Sequence, residues 1–170
     1  MNVDVLAELL AALDDHIVVM RDVVSCAQAQ QRAVISFDID AMRTGSDEMG
    51  HLVGLMGAAE SRTLSAAHAL TKARALDLGQ NPSLSVLAEQ LGAVDGAQVL
   101  DRATKLGALG GALRELNAMT SLQAQRGLRT VRAYTSLLAG STDAPRPELY
   151  GPRGHQQQDA PRARLLSGRL

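Results

Sequence analysis

The most regular hydrophobic pattern of the chain lies near its amino terminus. Its positions are separated by alternating steps of four and three residues, the spacing of a heptad seam on one long helix. These positions are Leu6, Leu10, Leu13, Ile17, Met20, Val24, Ala27, Gln31 and Val34. A second apolar row beside the seam consists of Val5, Leu9, Val23 and Ile35. Together the two rows predict a helix over about residues 2–36 that packs against two neighbouring helices.

A second run of heptad spacing follows a short acidic turn at residues 36–42, in which Asp38 is a suitable N-cap. The positions of this run are Met49, Leu52, Met56, Ala59, Thr63, Ala66 and Leu70. They predict a helix over about residues 39–78 that ends at the Gly-Gln-Asn-Pro breaker. Each glycine inside a helix lowers its stability by ~1 kcal/mol relative to alanine, so the glycines of this helix are expected to make it less stable than the first. Gly50 and Gly54 are expected to permit close packing of another helix.

The remaining helical segments are a short helix over about residues 83–92 and a third long helix over about residues 95–138. The hydrophobic stripe of the long helix begins at Leu106, Leu109, Leu113 and Leu116, and ends at Leu128, Val131, Tyr134 and Leu138. If the partner helices end first, its last turns present an apolar surface that can bind another amphipathic helix. The pattern alone leaves open the alternative that these residues complete the core.

After Leu138 the composition changes, because residues 139–170 contain four of the five prolines and few apolar side chains. We therefore expect a helical bundle over residues 1–138 and a flexible tail over residues 139–170. Tyr150 lies in the tail segment Leu149-Tyr150-Gly151-Pro152-Arg153-Gly154. An aromatic ring in such surroundings has no core to enter, so it either stays solvated or anchors a partner.

The composition favours an all-α protein that binds partners. The chain is 46% hydrophobic and 2% aromatic, too few rings for a β-sandwich core or a base-stacking surface. The net charge of −1 gives no field that favours nucleic acid. The acidic amino terminus and the lack of an apolar stretch of ~20 residues predict a cytosolic protein with no stable membrane insertion. The predicted fold is an extended antiparallel three-helix bundle with a short connecting helix and a disordered C-terminal tail.

Residues suited to catalysis or metal binding do not form a recognisable pattern. Cys26 is the single cysteine, and the four histidines share no ligand spacing. The glycines at 107, 110 and 111 form neither a dinucleotide-binding nor a Walker motif. The sequence therefore predicts neither an enzyme nor a cofactor.

The chain resembles FlgN-type flagellar export chaperones over nearly its whole length. The resemblance rests on the helical segment Leu113-Arg114-Glu115-Leu116-Asn117, the acidic turn at residues 36–42, the short helix from Ser83 to Leu91, and the tail segment from Leu149 to Gly154. Thr120 departs from the family pattern, since a second asparagine is common at its position. The second helix also lacks the usual Lys/Glu-rich pattern.

The resemblance implies a cytosolic chaperone of hook-filament junction proteins of the FlgK and FlgL type, which it delivers to the flagellar type III export gate. The implied client-binding residues are Leu128, Val131, Tyr134 and Leu138. In the tail, Tyr150, with Leu149 and Gly151, would dock on the cytoplasmic domain of the export-gate protein FlhA.

The residue patterns alone leave two alternative functions open. One is a structural bundle protein that assembles with copies of itself, for which a homodimer is the simplest form. The other is a helix-turn-helix transcription regulator, in which residues 94–105 would enter the major groove. Asp95 and Asp101 argue against the regulator because they repel phosphate.

Overall fold

The computed structural model describes residues 4–78 and 83–138. These residues form four helices: α1 (Val5–Ser36), α2 (Ile39–Ala73), α3 (Leu84–Gln90) and α4 (Ala93–Leu138). The described part of the chain contains no strand, and the predicted all-α helical-bundle class is confirmed. The predicted tail, residues 139–170, lies outside the described residues.

The chain divides into two compact units, Met1–Ser121 and Leu122–Leu170. The first unit holds α1, α2, α3 and the beginning of α4, whereas the described part of the second unit is the end of α4. The boundary between the units therefore lies inside a helix. The predicted division into a bundle over residues 1–138 and a tail over residues 139–170 stays a prediction.

Local capping explains where α1 ends and α2 begins. Asp4 caps α1 by accepting hydrogen bonds from the backbone N–H groups of Leu6 and Ala7 at 3.2 and 3.4 Å. Phe37 adopts a left-handed conformation with φ 54° and ends α1. Asp38 then accepts from the Ala41 N–H at 3.0 Å, as expected of an N-cap. The turn between the two long helices is thus only two residues long.

The core of the first unit draws on all four helices. Leu9 and Leu13 of α1 are fully buried with Leu70 of α2, Leu87 of α3 and Val99 of α4. A second buried cluster joins Val23, Cys26 and Leu52, with Met49, Met56 and Leu113 at its edge. Within this unit α1 therefore contacts both α2 and α4, as its broad stripe predicted.

The two apolar rows predicted for α1 both contribute to the core, but not completely. Leu9 and Val23 of the second row are buried, whereas Ile35 of the same row is 57% exposed. Cys26 and Ala33, which belong to neither row, are buried instead. A straight helix drifts by ~20° per heptad relative to a strict seven-residue repeat, so the buried line crosses from one row to the other.

The inner face of α2 follows its predicted heptad. Leu52, Ala59, Thr63, Ala66 and Leu70 are all buried, and the two methionines of the pattern are partly buried. The helix ends at Ala73, five residues earlier than predicted. Backbone hydrogen bonds from Ala75 to Lys72 and from Leu76 to Thr71 close its last turn.

The prediction that Gly50 and Gly54 permit close helix packing is wrong for the described residues. A Cβ atom built on either glycine, or on Gly57, meets nothing within 4 Å. All three lie on the exposed face of α2, away from its heptad seam. The close approaches occur at other glycines. A Cβ on Gly45 would lie 2.9 Å from Gln30 Cγ, and one on Gly96 would overlap the Ala88 carbonyl oxygen.

Candidate functional site

The described residues show no arrangement suited to catalysis. They contain no group of three or more His, Cys, Asp or Glu side chains that could hold a metal ion. Cys26 is buried, and its Sγ donates to the Gly45 carbonyl at 3.5 Å. Burial raises the pKa of the Cys26 thiol, with a smaller contribution from the negative charge of Glu48. The reactive thiolate is therefore disfavoured.

No helix among the described residues has the length and apolar character needed to cross a membrane.

An open groove lies between α1 and α2 in the first unit. It has a volume of ≈ 350 Å³. Its lining residues are Glu8, Ala11, Ala12, Asp15, Arg62, Ser65, Ala66 and Ala69. Arg62 and Asp15 form an ion pair at 3.3 Å, so these opposite charges face each other. Small side chains make up most of the remaining wall, and the groove offers no convergent set of polar groups that would orient a small ligand.

The end of α4, in the second unit, exposes the four residues predicted to bind a client. Leu128, Val131, Tyr134 and Leu138 have 56, 50, 64 and 78% of their surface exposed. Their spacing of three, three and four residues places them along one side of the helix. We call these four side chains the apolar stripe. Large apolar side chains grouped on one helix side are typical of a surface that binds another protein.

Beside the apolar stripe lie three arginines that the sequence analysis did not single out. Arg126, Arg129 and Arg132 are all exposed, and we call them the arginine band. Residues 116–138 contain no acidic side chain, so the band is the whole charge of this segment. The signal that could have revealed the band is its regular spacing of three residues within a helical segment, residues 116–138, that lacks acidic side chains.

Leu149, Tyr150 and Gly151, the residues predicted to dock on an export gate, lie outside the described residues. Their role stays a prediction.

Comparison with known proteins gives one result. A family model described as FlgN protein matches residues 1–158. No match was found among curated proteins or among solved structures. The matched range includes every described helix and the apolar stripe. Since it covers most of the chain, the protein belongs to the FlgN family of flagellar export chaperones.

Proposed function

We propose that this chaperone acts in the cytoplasm, where it binds the C-terminal region of a hook-filament junction protein of the FlgK or FlgL type. It then delivers the client to the export gate through the cytoplasmic domain of FlhA. In this proposal the apolar stripe of α4 holds the client, and Tyr150, flanked by Leu149 and Gly151, contacts the gate.

The observation that carries the client-binding part is the exposure of the apolar stripe. Each of its four side chains keeps at least half of its surface exposed, and Leu137 beside them is 77% exposed. Covering apolar surface releases about 25 cal/mol per Å², so these side chains favour contact with another apolar surface. An amphipathic helix laid along the stripe supplies such a surface at matching spacing.

A double substitution in the apolar stripe tests this function. We expect Val131→Asp with Leu138→Asp to lower the affinity for the C-terminal region of the junction protein by more than tenfold, because a carboxylate is strongly disfavoured in an apolar contact. Titration calorimetry with the purified full-length chaperone measures the affinity. Circular dichroism should show unchanged helix content, since both side chains are exposed.

A matched control is available on α2. Val53 and Leu64 are 51 and 48% exposed and lie in the first unit. Val53→Asp with Leu64→Asp adds the same charge to exposed apolar positions outside the stripe and should leave client affinity unchanged. Equal client affinity of wild type and the stripe variant would reject the stripe as the binding site, and global unfolding of that variant would show that its residues are core.

A further inference from the structure

The arginines of the band are exposed and lack nearby acidic side chains. In the first unit, three of the seven arginines form ion pairs: Arg62 with Asp15, Arg74 with Asp95, and Arg102 with Asp14. Among the described residues, no member of the arginine band has an ion-pair partner. The positions three and four residues away from each member hold no acidic side chain either. The band is therefore a row of three exposed positive charges.

Arg129 and Arg132 lie on one flank of the apolar stripe, whereas Arg126 lies on the side of the helix turned away from it. Successive helix residues are rotated by about 100°, so a spacing of three shifts each arginine by about 60° relative to the previous one. Arg132 follows Leu128 by four residues and is its neighbour on the helix surface. On the opposite flank, Thr130 and Leu137 carry no charge. A helix that lies along the stripe meets positive charge on one edge and uncharged side chains on the other.

The arginines of this flank argue against an antiparallel second copy of this chain as the occupant of the stripe. When two identical helices pack antiparallel, each flank faces the same flank of its partner. The arginines of this flank, Arg129 and Arg132, would then face those of the copy, and like charges across a helix pair are unfavourable. A partner with carboxylates on the facing edge removes that cost and adds arginine–carboxylate hydrogen bonds.

We propose that the stripe selects an amphipathic client helix with aspartate or glutamate, three or four residues apart, along one edge of its apolar side. This inference rests on the proposed client-binding function of the stripe and adds the chemistry of the client. The charges set which segment binds and in which orientation, because each exposed ion pair contributes only about two- to fivefold in affinity.

Two designed peptides test the proposal against the full-length chaperone. They share one leucine stripe and one length, and differ only in carrying glutamate or lysine along the edge that faces the band. We expect wild type to bind the glutamate peptide at least tenfold more tightly, with the difference shrinking as salt rises. Arg129→Glu with Arg132→Glu should reverse the preference. Fluorescence anisotropy of the labelled peptides measures each affinity.

A control with the same change in net charge separates the band from general electrostatics. Arg43 on α2 and Arg114 on α4 are exposed arginines of the first unit. Arg43→Glu with Arg114→Glu should retain the wild-type preference for the glutamate peptide. A preference reversed equally by this control would assign the effect to net charge and overturn the proposal.

The remaining outcomes distinguish this inference from the proposed function. If both peptides bind wild type equally well and Val131→Asp with Leu138→Asp abolishes both, the client site stands and the charge selection is overturned. If neither peptide nor the C-terminal region of the junction protein binds, the proposed function fails as well. If the band instead governs binding to phosphatidylglycerol vesicles or to duplex DNA without any peptide preference, its partner is a membrane or a nucleic acid, and the proposal is wrong.

Discussion

At the scale of single residues, Thr63 and His16 form a polar contact between α1 and α2. Thr63 is buried, and its Oγ1 donates to the Ala59 carbonyl at 3.0 Å. The same oxygen lies 3.5 Å from His16 Nδ1. Burial lowers the pKa of His16, and the negative charge of Glu60 opposes this shift in part. The folded chain therefore favours the neutral imidazole.

This shift predicts a loss of stability at acid pH. Because the pKa of His16 is lower in the folded state, the unfolded state binds the proton more readily, and stability falls as the pH drops below about 6.5. Well above that value His16 is neutral in both states and has no effect on the pH dependence. We expect His16→Gln to flatten the dependence of unfolding free energy on pH on the acid side. Urea unfolding of wild type and variant between pH 5 and pH 8 checks this, and parallel curves would contradict it.

At the scale of helices, glycines on α2 and α4 have opposite roles. Gly50, Gly54 and Gly57 face open space, whereas Gly96 leaves room for the carbonyl group of Ala88 in α3. The first three carry only the cost of a flexible backbone. Gly96 lets α3 and α4 approach closely, since any side chain there would meet the backbone of the other helix.

Alanine substitutions at these sites should therefore change stability in opposite directions. We expect Gly50→Ala, Gly54→Ala and Gly57→Ala to stabilise the protein by ~0.5–1 kcal/mol each, by reducing backbone freedom in the unfolded chain. Gly96→Ala should destabilise it by ~1–3 kcal/mol, since α3 and α4 must separate. Thermal unfolding followed by circular dichroism measures both effects. A destabilised triple variant would show that another helix covers this face of α2.

Heptad spacing predicted the buried positions of α2 better than those of α1 or α4. On α2 the inner positions from Leu52 to Leu70 follow the seven-residue repeat, so their burial could be inferred from spacing alone. On α1 the sequence offers two apolar rows that could face the core. Cys26 is buried and Ile35 is exposed because of where the neighbouring helices lie, which the spacing alone does not show. The glycines of α2 were misinterpreted for a similar reason, because sequence does not show whether a neighbour lies opposite. The apolar stripe at the end of α4 was predicted from its spacing, but only the structure shows that its side chains are exposed.

At the scale of the whole molecule, we propose that client binding and delivery to the export gate use different parts of the chain. Tyr150→Ala should leave the melting temperature and client affinity unchanged, because Tyr150 is not part of the apolar stripe and the polar, proline-rich composition of residues 139–170 predicts no contribution to a core. Affinity of the client-loaded chaperone for the cytoplasmic domain of FlhA should fall roughly thirtyfold, as expected when an interfacial tyrosine contributes ~2 kcal/mol. Titration of loaded wild type and variant against that domain measures the difference. Equal dissociation constants would remove Tyr150 as the docking residue.

The buried thiol of Cys26 also provides a natural probe of transient separation of α1 and α2. Cys26 is the single cysteine of the chain and is buried where α1 packs against α2. A thiol-specific dye can react with it only after the two helices separate at that point, so the labelling rate counts opening events. Labelling with and without a bound client would reveal whether capture at the end of α4 is energetically coupled to the α1–α2 contact. Coupling of this kind would appear as slower labelling in the complex, with no engineered probe required.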